Sequence, residues 1–131
     1  MKQKILVIDD NPINLKLACT VLAASGYSIV QALNAEEALQ LTGIHSFDLI
    51  LTDLELPGMD GLALSRILKS APETCEIPII AVTAFAMKGD EAKAIAAGCD
   101  GYITKPINTR TLTDQISAIL GRKSEPTRGN G

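Results

Sequence analysis

The chain has 131 residues, 47% of them hydrophobic and 21% charged, which suits one soluble globular domain with an apolar core of its own. Its 12 Lys and Arg stand against 15 Asp and Glu, for a formal net charge of −3. That balance argues against direct nucleic-acid binding and against an anionic membrane surface.

Aromatic residues make up only 3% and Trp is absent, so the core is assigned to Ile, Leu, Val and Ala. Base-stacking recognition of single strands, which needs aromatic platforms, is excluded on the same count. Cys19, Cys75 and Cys99 form no CxxC pair and are read as reduced thiols of a cytoplasmic protein. The amino-terminal apolar run is too short for a secretory signal. No run reaches transmembrane length, so membrane insertion is not expected.

The continuously apolar segment Ile5-Leu6-Val7-Ile8 reads as a strand buried on both faces. It runs into Asp9-Asp10-Asn11-Pro12, where Asn11 is a good N-cap and Pro12 suits the first helical position. A helix is predicted from there to about Ser25, with Ile13, Leu17 and Val21 on one face. A strand is expected over 28–32. Asn34 and Glu37 resemble a capping pair opening a second helix that Gly43 ends. A third strand, 48–53, ends in Asp53. The turn-rich loop Leu54 to Gly61 leads into a helix to about Ser70.

Residues 77–83 give a fourth strand with Pro78 near its start, and residues 89–97 a short helix. A fifth strand covers 101–104, and a last helix runs from an Asn108 cap to about Leu120 with Leu112, Ile116 and Ile119 inward. The expected domain spans 1–121. Residues 122–131 read as a disordered tail or linker.

Strict alternation of this kind is a (βα)₅ pattern, hence an α/β fold with a five-stranded parallel sheet between two helical layers. The flavodoxin-like order 2-1-3-4-5 makes strands one and three neighbours, and ligands bind beyond their carboxyl ends. Asp9, Asp10 and Asp53 then converge at the switch point. Three like charges in a small site call for a cation, and oxygen-only donors indicate a hard one, with Mg²⁺ the intracellular choice. Thr83 and Lys105 leave strands four and five at the same edge. They supply the hydroxyl and ammonium that a phosphoryl group requires.

In this setting the chain resembles response-regulator receiver domains from about Lys4 to Leu120. The elements that carry the likeness are Asp9-Asp10, Asp53 with Pro57-Gly58 and Asp60-Gly61 behind it, Thr83-Ala84, and Lys105-Pro106. The resemblance implies a module of two-component signalling that takes a phosphoryl group from the phosphohistidine of a histidine kinase or a histidine phosphotransfer protein onto Asp53. It implies Mg²⁺ held by Asp10, Asp53 and the Glu55 backbone carbonyl, with Asp9 acting through water. Lys105 would pair with phosphoryl oxygens and Thr83 would hydrogen-bond one of them. Tyr102 would move with Thr83 as the switch aromatic, and the bond before Pro106 would be cis.

The downstream partner would dock on the strand 4–helix 4–strand 5 face. The chain would be no enzyme beyond its own phosphorylation and dephosphorylation. Residues 10–14 resemble receivers of hybrid kinases and phosphorelay regulators, and residues 83–90 resemble those of single-domain cell-cycle regulators. Glu55 and Phe85 flank the expected path of a hydrolytic water, so slow phosphate loss is anticipated. A haloacid dehalogenase-type phosphatase would need a DxD where Asp9 and Asp10 are adjacent. A flavin or dinucleotide binder would need a Gly-rich first loop, which is missing here.

Overall fold

The computed structural model describes residues 2–84 and 89–124, with side chains through residue 121. Among them lie five strands and five helices in strict alternation: β1 (Lys4–Ile8), α1 (Pro12–Ala24), β2 (Ser28–Ala32), α2 (Ala35–Thr42), β3 (Leu49–Asp53), α3 (Gly61–Ser70), β4 (Ile79–Thr83), α4 (Asp90–Ala96), β5 (Gly101–Thr104) and α5 (Thr109–Ser124). The strands form one parallel sheet in the order β2-β1-β3-β4-β5.

Side-chain alternation along the strands divides the core into two layers. Ile5, Val7, Leu49, Leu51, Ile80 and Val82 face α1 and α5, where they meet Leu15, Leu22, Leu112 and Ile116. Leu6, Ile8, Ile50, Ile79 and Ala81 face the opposite layer, with Ala38, Leu64, Leu68 and Ala94. The central strands β3 and β4 are buried along their whole length, as continuous apolar runs require.

Helix α1 departs from the expected orientation. Its buried residues are Leu15, Ala18, Cys19 and Leu22, while Ile13 is 79% and Leu17 44% exposed. The helix carries two apolar stripes. Periodicity alone does not choose between them; the stripe that carries Ala18 and Cys19 is the one that joins the core against the sheet.

Caps follow the sequence signals. Asn11 Oδ1 accepts from Ile13 N at 2.9 Å, Asn34 Oδ1 accepts from Glu37 N at 2.7 Å, and Glu37 Oε1 in turn accepts from Leu33 N at 2.7 Å. Asn108 Oδ1 accepts from Thr111 N at 3.1 Å. Strand β4 begins at Ile79, two residues later than expected; Pro78 precedes it and still accepts from Ile50 N through its carbonyl. Helix α5 continues past Leu120 to Ser124, and the tail expected from 122 onward lies outside the described residues from 125.

Candidate functional site

Strand register decides which side chains meet. Ile8 pairs with Thr52 across β1 and β3, so the next residues, Asp9 and Asp53, emerge side by side. Asp53 pairs with Val82, which places Thr83 one step further along the adjoining strand. Thr83 pairs with Thr104, and Lys105 follows immediately, its N–H donating to the Thr83 carbonyl at 2.7 Å. All three ladders thus end at one sheet edge. The Lys105–Pro106 peptide bond there is cis.

Asp9, Asp10 and Asp53 each offer a carboxylate oxygen within 4.8 Å of the others. Asp9 and Asp53 are buried and Asp10 is exposed. Lys105 Nζ lies 2.6 Å from Asp53 Oδ2 and 3.5 Å from Asp9 Oδ2. The second oxygen of each buried carboxylate is held by the backbone: Asn11 N donates to Asp9 Oδ1 at 2.8 Å and Glu55 N to Asp53 Oδ1 at 3.0 Å.

Burial raises the Asp9 carboxyl, and the Asp53 charge adds to it. The Asn11 N–H and the Lys105 ammonium pull the other way, and the balance lies above the ordinary carboxylate value. Burial works against the Lys105 ammonium, but the hydrogen bond and charge of Asp53, followed by those of Asp9, outweigh it and hold its pKa above that of an ordinary lysine. Three carboxylates against one ammonium leave the site short of positive charge. Its donors are all oxygens, which fits a hard divalent cation.

Glu55 does more than its position in the sequence indicates. Its carboxylate accepts from the Thr83 hydroxyl through Oε2 and from Ala84 N at 3.2 Å through Oε1. No sequence signal points to this, because spacing sets which edge a residue lies on and says nothing of where its rotamer reaches. The open cleft above the acids has a volume of about 530 Å³, and Asp10, Asp53, Glu55, Ala84 and Lys105 all line it.

Tyr102 lies on β5, packed against the second core layer, and its hydroxyl is buried with no hydrogen-bond partner among the described residues. Burial, then the charges of Asp90, Glu91 and Glu55, push its phenol above the ordinary value. Asp60, which the motif includes, is the N-cap of α3, accepting from Ala63 N at 2.8 Å. Gly61 also has a part that sequence reading missed: a Cβ there would sit 2.4 Å from the Asp53 carbonyl oxygen. Phe85 and Met87 lie outside the described residues. His45 is half-buried, with Nδ1 3.4 Å from Lys4 Nζ and its ring 5.8 Å from that of Phe47.

The model of the response regulator receiver domain family matches residues 5–117. The chain belongs to that family. It is 43% identical over 121 residues to the polar-differentiation response regulator DivK of Brucella anthropi, covering 92% of this chain and 98% of that one. Among solved structures it is similar to a putative response regulator from Chloroflexus aurantiacus, with a TM-score of 0.89 and 29% identity over 92% of this chain and 99% of the other. It is also similar to the receiver domain of a sensor histidine kinase from Pseudomonas aeruginosa, with a TM-score of 0.85 and 30% identity over 92% of this chain and 99% of the other. That structure holds a magnesium ion coordinated in its active-site cleft. The protein is therefore a receiver domain of two-component signalling. Among the described residues no helix is long and apolar enough to cross a membrane.

Proposed function

We propose that Asp53 is the phosphoacceptor and that Asp9, Asp10, Thr83 and Lys105 serve its reaction. The observation that carries this reading is the ammonium of Lys105 set between the two buried carboxylates, 2.6 Å from Asp53 and 3.5 Å from Asp9, at the carboxyl edge of adjacent parallel strands. An Asp53 oxygen attacks the phosphorus of a phosphohistidine. The O–P bond forms as the N–P bond breaks, and the electron pair leaves on the imidazole nitrogen, which takes up a proton. Lys105 then turns from the carboxylate to the phosphoryl oxygens, and Thr83 donates its hydroxyl to one of them. Positioning and charge neutralisation supply most of the rate in such transfers.

Asp10 and Asp53, with the Glu55 carbonyl and Asp9 through water, are the groups that would hold Mg²⁺. When bound, the ion neutralises the acids and the incoming phosphoryl charge. The donor partner is a histidine kinase or a histidine phosphotransfer protein, and the protein works in the cytoplasm as a switch rather than as an enzyme on other substrates. The proposed output surface is the β4–α4–β5 face, where Thr83 and Tyr102 would change together. Two features support that choice: α4 has one buried residue, Ala94, and Ile95 beside it is 61% exposed. Whether the chain acts alone or as a module of a hybrid kinase, the same residues carry the transfer.

The test is treatment with acetyl phosphate and Mg²⁺ followed by intact-mass spectrometry. The wild type gains one phosphoryl group, while Asp53→Asn and the EDTA-treated wild type gain none. Undiminished labelling of Asp53→Asn contradicts the assignment.

A further inference from the structure

The Glu55 carboxylate occupies two donors that face an anion. Its oxygens take the Thr83 hydroxyl hydrogen and the Ala84 N–H, both at the exit of β4. A carboxylate and a phosphoryl group make the same demand on such donors, namely anionic oxygens spaced a few ångströms apart. A hydroxyl has one hydrogen to donate. While Glu55 holds it, Thr83 has none to give to a phosphoryl oxygen on Asp53.

We propose that the Glu55 side chain is an internal surrogate for the phosphoryl group, which it blocks from Thr83 and Ala84 until it is displaced. The inference rests on Asp53 being the phosphoacceptor. Glu55 is thus a positioning residue that slows acceptance and ties it to a movement. The incoming phosphoryl group, doubly charged, repels the carboxylate and competes for its two hydrogen bonds. Glu55 lines both the acid cleft and a separate 190 Å³ cleft bordered by Leu54, Asp60, Leu62, Thr83, Asp90 and Lys93, where a displaced carboxylate meets one ammonium beside two other acids. Lys93 belongs to α4, so a displaced Glu55 carries the change of charge from the acid site to that helix.

The experiment follows the initial rate of acetyl phosphate labelling with Mg²⁺ in wild type, Glu55→Ala and Glu55→Gln. Losing one charge-assisted hydrogen bond of competition is expected to speed labelling roughly tenfold in Glu55→Ala. Glu55→Gln, which keeps one acceptor and loses the charge, is expected to fall between. Because a merely structural role of Glu55 would not depend on the hydroxyl, the same comparison is made in a Thr83→Ala background, where the gain is expected to shrink. Labelling of Glu55→Ala and Glu55→Gln at or below the wild-type rate, with Asp53→Asn still unlabelled, overturns the surrogate role and leaves the phosphoacceptor reading standing. Labelling of the Asp53→Asn/Glu55→Ala double variant overturns both.

Discussion

Gly61 sets how near α3 comes to the strand that carries Asp53. A Cβ there would meet the Asp53 carbonyl oxygen at 2.4 Å and the Leu54 Cα at 2.8 Å, both backbone atoms with little freedom to yield. Gly61→Ala is expected to cost about 1–3 kcal/mol, as overpacking usually does. Urea denaturation reads the loss, and an unchanged midpoint would show that the loop gives way freely.

Individual residues also mark how far the sequence could be read. Asp9, Asp53, Thr83 and Lys105 were legible as a group because each directly ends or follows a strand, and parallel register brings such ends to one edge. Glu55 was legible as a backbone-carbonyl metal ligand and a charge beside that edge, but not as the acceptor for Thr83 and Ala84, since reaching them depends on a rotamer. Gly61 read as a turn residue, because close approach to a backbone leaves no trace in spacing.

Among the elements, α4 is the least secured. It has seven residues and one of them is buried; its N-cap, Gly89, has a φ of +92° and makes no side-chain cap bond. By contrast β1 and β3 lie in the middle of the sheet with both core layers against them. Few buried apolar contacts mean a low free energy of local opening. Backbone amides of 90–97 are therefore expected to exchange with deuterium on the order of tenfold faster or more than those of β1 and β3. Equal protection in hydrogen-exchange mass spectrometry would contradict this. Element types and order were legible because long apolar runs alternate with capped helical segments. The facing of α1 was not, because Ile13, Leu17 and Val21 compete with Leu15, Ala18, Cys19 and Leu22 at the same periodicity.

At the scale of the whole molecule, the sheet acts as a ruler. Its two apolar layers hold five strands in register, and the register turns a scattered set of acids, one hydroxyl and one ammonium into a site at the carboxyl edge. The core and the chemistry are therefore coupled: the same β3 that is buried along its length delivers Asp53 at its last residue. On the proposed function, the phosphoryl group resides on that carboxylate as an acyl phosphate. Borohydride reduces an acyl phosphate to the alcohol, so protein treated with acetyl phosphate and Mg²⁺, then reduced and digested, should yield homoserine in place of aspartate at position 53 alone. Homoserine at another position, or aspartate unchanged at 53 in protein whose intact mass shows the phosphoryl group, would contradict it.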